Sequence, residues 1–267
     1  MNAKVPVLGT LNEAVAMTVN HRRELLRVGL VFIIGFFALS IVFARYLWPL
    51  FSEAMMDSPA TGAPAPVDPR LPSAMLLMYV IGILLISVFA VGWHRATLIG
   101  AERGQGAQLG KRELRYFGRF WLCIGISIAV LFFVAFVEEL IGAALRANAQ
   151  SMMFGAVFAN LLVIAYVFAR LGPTFVSLSV DRQMSFRESW IATKGNGVRI
   201  LLIYMLAWLS GLVLNFLVGM LLNLLGLGEL APYTVVLIGA LTLCALAAVI
   251  VSANTIIFRQ LTGWKPA

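Results

Sequence analysis

Six stretches of the chain, at about 28–50, 74–93, 119–137, 153–171, 200–224 and 233–257, are apolar almost throughout. Each is close to the ~20 residues that a helix rising 1.5 Å per residue needs to cross a hydrocarbon core of about 30 Å. In lipid, backbone N–H and C=O groups must be satisfied within the structure, so only helices or a closed barrel can span. A barrel would show alternation over segments of about ten residues, and these stretches show none. Of the 267 residues, 61% are hydrophobic and 12% charged, about half the charged fraction of a soluble domain. The expectation is an all-α polytopic membrane protein with six transmembrane helices, forming one membrane domain over 1–267.

The net charge of +8 would suggest nucleic acid in a soluble chain, but here its placement matters more. Seventeen of the twenty Lys and Arg residues fall in the first tail, the second and fourth connections and the last tail. Retained positive loops mark the cytoplasm, so both termini are expected inside a bacterial inner membrane, with no nucleic-acid partner. The apolar run of the first stretch is too long for a signal-peptide core of ~7–15 residues, which favours an uncleaved first helix. The connection 52–72 contains Ser58-Pro-Ala-Thr-Gly-Ala-Pro-Ala-Pro-Val-Asp-Pro69. Proline at that density prevents a helix, so a flexible extracytoplasmic loop is expected there.

The basic segments carry a pattern of their own. Thr10-Leu-Asn-Glu13 and Ser185-Phe-Arg-Glu188 both read as the reciprocal capping box that opens a helix. Thr10/Ser185, Glu13/Glu188 and Thr18/Thr193 share one offset of 175 residues. Gly110-Lys-Arg-Glu113 begins a shorter version that ends at Arg119. The reading is a pseudo-threefold repeat, each unit an interfacial helix plus two spans, over about 9–93, 108–171 and 185–258. Leu11, Val15 and Met17, and Phe186, Trp190 and Ile191, give these helices an apolar side. Arg22, Arg23, Arg187 and Lys194 give the wet side, which is the pattern of helices lying flat in an interface. Trp48, Trp93, Tyr116 and Trp121 fall near span ends, as an aromatic belt requires.

Met184-Ser-Phe-Arg-Glu-Ser-Trp-Ile-Ala-Thr-Lys-Gly-Asn-Gly197, followed by Val-Arg-Ile-Leu-Leu, resembles a signature of YciC-like bacterial six-span proteins. These are similar to the membrane domain attached to some glycerophosphodiester phosphodiesterases. Trp93-His-Arg95 adds to the resemblance. It implies a multi-span inner-membrane protein. It does not imply phosphodiesterase activity, which belongs to a separate soluble domain in those proteins.

Motifs for catalysis are missing. There is no G-x-S-x-G, no H-E-x-x-H, and Gly104-Gln-Gly106 with Gly110-Lys111 does not form a P-loop. His21 and His94 are expected at the cytoplasmic surface, each without a second ligand at helical spacing, so no metal or cofactor is expected. A cluster of His21, His94 and Glu102 would revive an enzyme. Cys123 and Cys244 lie in apolar runs and read as small buried hydrophobes. Arg45, about five residues from a span end, reads as snorkelling to headgroups, with Glu138 or Glu139 as the alternative partner.

Ala207, Gly211, Asn215, Gly219 and Asn223 recur every four residues, as do Ala240, Cys244, Ala248 and Ser252. Such stripes let helices approach closely. Asn160, Asn215 and Asn254 are candidates for an intramembrane polar network. No span is broken in its middle, Pro173 and Pro232 being placed at span ends. The favoured function is non-enzymatic: contact with anionic headgroups or a membrane-protein partner through Arg22, Arg23, Arg95, Arg112, Arg115, Arg187 and Lys194. The alternative is a small-solute transporter or channel with an Asn-lined path.

Overall fold

The computed structural model describes residues 4–50, 52, 68–100, 108–145, 149–226 and 232–264. Among them are eight α-helices and no strand: α1 (Val7–Asn20), α2 (Arg22–Val42), α3 (Arg70–Leu98), α4 (Lys111–Leu145), α5 (Ala149–Ser179), α6 (Phe186–Ala192), α7 (Gly197–Leu224) and α8 (Pro232–Thr262). A π-helical turn, Phe43–Leu47, carries α2 on to Leu50. Six helical runs are long and apolar enough to cross a membrane: Arg22–Leu50, Arg70–Leu98, Lys111–Val137, Ala159–Ser179, Gly197–Leu224 and Tyr233–Thr262. The protein is a multi-pass membrane protein. Its spans run past the apolar stretches at their basic ends because helices satisfy their own backbone beyond the hydrocarbon.

The bundle has an inner and an outer layer. Helices α3, α5 and α8 pack on one another. Outside them, α2 lies against α3 and α8, α4 against α3 and α5, and α7 against α5 and α8. The inner position of α8 follows from its surface: Ala240, Cys244, Ala248 and Ser252 are all buried. There α2 crosses so closely that a Cβ on Gly29 would stand 2.8 Å from Cys244 Sγ. Both cysteines are free and buried. The stripe on α7 is divided. Ala207 and Gly211 are buried, whereas Asn215, Gly219 and Asn223 are exposed.

Two short elements complete the end that carries the termini. Helix α1 rests on α8 and α7, and α6 rests on α5. The side of α1 that meets the protein is Thr10, Ala14 and Thr18, with Met17 joining Ile200 and Ile256 in the core. Leu8, Val15 and Val19 remain exposed. Small and hydroxyl side chains give the closest contact, so they take the inner face and the larger apolar ones are left exposed.

Several expectations need correction. The Thr10 capping box does not form: α1 starts at Val7 with Pro6 in the cap position, and Thr10 is fully buried within the helix. Tertiary bonds replace the cap, since Val5 N–H donates to Asn196 Oδ1 (2.9 Å) and Arg199 donates to the Val5 carbonyl (3.2 Å). The Ser185–Glu188 box is complete. At Gly110 only the return bond exists, Gly110 N–H to Glu113 Oε2 at 2.9 Å. From there α4 runs unbroken to Leu145, so the middle segment has no separate interfacial helix.

Pro173 lies inside α5, which continues to Ser179. It cannot donate to the Ala169 carbonyl, a loss that spans tolerate when neighbours re-satisfy the backbone. Trp93 and Tyr116 are not belt residues; both are buried in the core. His94, placed by its sequence position at the surface, is fully buried. The loop expected over 52–72 falls outside the described residues from 53 to 67, and helix already begins at Arg70.

Candidate anion-binding cleft

Helix α4 opens with Arg112, Arg115 and Arg119, spaced three and four residues apart and therefore on one face. Opposite stands the turn from α5 into α6. Asp181 has φ 59° there, the left-handed region that Asp tolerates better than most residues. Between the two elements lies an open cleft of about 700 Å³, lined by Arg112, Arg115, Arg119, Asp181, Arg182 and Glu188 among others. A smaller chamber of about 330 Å³ shares Arg112, Arg115 and Asp181 and adds Arg95, Lys111 and Glu113.

The charges in this cleft are unequally committed. Asp181 accepts from Arg112 Nε at 2.6 Å and from Arg95 Nη1 at 3.3 Å, tying α4, α3 and the turn together. Arg112's hydrogen bond, opposed by partial desolvation and reinforced by the charges of Arg112 and Arg95, holds the Asp181 carboxyl below its ordinary value. Glu188 is spent on the cap of α6: it accepts from Ser185 N–H and hydroxyl at 2.6 and 3.0 Å. Those bonds, and more weakly Arg182, lower its carboxyl as well. Arg119 Nη1 donates to the Thr174 and Met184 carbonyls, and its guanidinium lies 5.5 Å from the Phe186 ring centre. Its partners are therefore neutral. Arg115 and Arg182 make no ion pair among the described residues. Both acids on the walls are occupied while cations remain unneutralised, so the cleft suits an anion, and planar guanidinium forks suit phosphate in particular.

Of the residues singled out in the sequence, Arg95, Arg112 and Arg115 meet here. Arg22 and Arg23 line a separate shallow concavity of about 400 Å³ with Val19, Asn20 and Glu24. Arg187 is exposed on α6, and Lys194 just after it. Arg119, Asp181 and Arg182 had not been singled out. The 112/115/119 spacing was a usable signal for the first, but nothing local brings the α5–α6 turn to the start of α4.

The three asparagines do not converge. Asn254 accepts from the Tyr204 hydroxyl, and a Cβ on Gly172 would strike both (2.6 and 2.7 Å). Asn215 is exposed and bonds its own helix through the Gly211 carbonyl. It stands eleven residues beyond Tyr204, about 16 Å along α7. Asn160 lies twelve residues before Gly172, about 18 Å along α5. Its Oδ1 is buried without a partner among the described residues.

Polar groups do converge, unexpectedly, on one turn of α8. Ser252 accepts from Trp93 Nε1 (2.8 Å) and lies 3.3 Å from the Thr18 hydroxyl; Thr255 bonds His94 Nδ1 at 2.8 Å. With Asn254 on Tyr204, this turn joins α1, α3 and α7 to α8. His21 packs edge-on against Trp93, while Glu102 lies outside the described residues. No group of three potential metal ligands occurs among the described residues. Arg45 is exposed and Glu139 makes no ion pair among them; the Glu138 side chain is outside the description.

No family model, no curated protein and no solved structure matches this chain.

Proposed function

We propose that this protein is a non-enzymatic component of a bacterial inner membrane that binds anionic lipid headgroups in the cleft between the start of α4 and the α5–α6 turn. Both termini then lie in the cytoplasm, where the positive-inside rule puts seventeen of the twenty Lys and Arg residues. The observation that carries the reading is the excess of arginine over available carboxylate in one open cleft. Exposed Leu8, Val15 and Val19 on α1, and Ile191 on α6, support it by offering apolar contact beside basic residues. Kinship with the YciC-like six-span proteins is part of the same proposal and rests on the 184–197 segment and Trp93-His-Arg95. An acidic membrane-protein partner is the other ligand such a surface would accept.

The test is retention of phosphatidylglycerol by the solubilised full chain in native mass spectrometry. At about 1 kcal/mol per cation near an anionic surface, the Arg115→Glu/Arg182→Glu double variant should lose roughly tenfold or more in affinity. Arg187→Glu/Lys194→Glu, outside the cleft, should lose less. Equal retention by wild type and the Arg115/Arg182 variant would sink the assignment.

A further inference from the structure

Arg170 is an unusual cation in this fold. It is 7% exposed, and no carboxylate lies within ion-pair distance among the described residues. Its acceptors are neutral: Nη2 donates to the Trp190 carbonyl at 2.5 Å and Nη1 to the Tyr166 hydroxyl at 3.2 Å. The guanidinium lies 4.1 Å from the Trp190 ring centre. Its Nε–H is buried and has no partner among the described residues. A guanidinium offers five donors, and a buried charged donor left unmade is costly.

The cover over this cation is α6, a helix of seven residues. A helix that short has no stability of its own and depends on its docking. The Ser189 hydroxyl donates to the Arg170 carbonyl at 2.8 Å, and the Trp190 carbonyl accepts from the Arg170 guanidinium, so α6 is held to α5 through both the backbone and the side chain of Arg170. Left-handed residues flank it: Asp181 before, and Gly195 with φ 80° after. The level is also informative. A Cβ on Gly197, the first residue of the next span, would stand 2.8 Å from Arg170 Cδ. Arg170 thus sits where the following span begins, one turn deeper along α5 than Thr174, whose carbonyl Arg119 holds at the cleft.

We infer that Arg170 is a second phosphate-binding residue, covered by α6 in this structure, and that an anionic phospholipid reaches it by displacing α6. A phosphodiester would give the guanidinium two parallel charge-assisted bonds in place of neutral acceptors and would take up the unpaired Nε–H. Lifting α6 would free Trp190 and Ile191, already 44% and 56% exposed, to enter the interface. The inference needs no ligand in the cleft, to which α6 and its cap contribute Ser185 and Glu188.

Hydrogen exchange over residues 186–193 of the full chain tests it, in nanodiscs of phosphatidylcholine or phosphatidylglycerol. The expected result is exchange about tenfold faster in phosphatidylglycerol, equivalent to about 1.4 kcal/mol of opening. Equal rates in the two lipids overturn the inference. Arg170→Gln should abolish the difference; should that variant fail to fold, Arg170→Lys, which keeps the charge without the fork, should shrink it. A full response in either variant overturns the role of Arg170. Arg115→Glu/Arg182→Glu should respond like wild type, and loss of the response there would assign the effect to the cleft instead. Inorganic phosphate added to phosphatidylcholine nanodiscs should change nothing; acceleration by phosphate alone would replace the lipid with a free anion.

Discussion

The two ends of the bundle are built differently. At the end bearing the termini, Trp93, His94, Phe89 and Phe258 are fully buried, and side-chain hydrogen bonds tie α8 to α1, α3 and α7. Toward the other end of α7, residues 212–217 are exposed one after another, and Phe216 and Leu224 are 70% and 73% exposed. No side of that stretch packs against the described part of the protein. Apolar side chains gain little there from touching protein, because hydrocarbon is as apolar as they are. Tertiary stability is therefore concentrated where buried polar groups would otherwise lack partners.

The largest expected effect on this contrast is Trp93→Ala. It removes a fully buried ring and the donor to Ser252, and should cost about 3–5 kcal/mol, read as a lower melting temperature in detergent. A loss below about 1 kcal/mol would mean that the packed end is not where stability resides. Asp181→Asn should act far less. It suits the left-handed backbone but removes the charge that Arg112 and Arg95 share. Both sides of that contact are partly exposed (side chains 55% for Asp181, 39% for Arg112), so the cost should be under about 1 kcal/mol and should fall with salt. The Asp181 carboxyl is depressed in the folded protein. Its contribution is thus complete above the ordinary carboxylate value of about 4 and is lost as pH falls through the folded value. The melting difference between variant and wild type should be constant through neutral pH and vanish in acid; persistence there would show that charge is not the cause. Smallest of all, Phe216→Ala should change melting by no more than about 0.5 kcal/mol. A cost matching that of Trp93→Ala would erase the contrast and imply that another chain covers α7.

Much of the architecture was legible because a bilayer imposes a local rule. Length and apolarity suffice to mark a span, and no knowledge of neighbours is needed. The Ser185 box was legible for the same reason, since its atoms lie within one turn. The Thr10 box failed because anchoring of Val5 by Asn196 and Arg199, nearly two hundred residues away, lets the helix start earlier. Trp93 and His94 were misplaced by the same kind of blindness. Sequence position put them near a span end, but α8 packs there through Ser252 and Thr255 and α4 through Tyr116, and both residues are buried. In the cleft, three arginines on one helix face were readable. Their opposition to Asp181 and Arg182 was not, because it depends on where α5 ends after passing through Pro173.

The residues alone determined that this chain forms apolar helices and that its cations gather at one end, since hydrophobic length and charge placement act through solvent and require no partner. Only the tertiary structure decided which helices stand inside, which arginines keep free charge, and which cation is sealed beneath α6. Those outcomes depend on distances between residues far apart in the chain, and packing sets such distances once for the whole bundle.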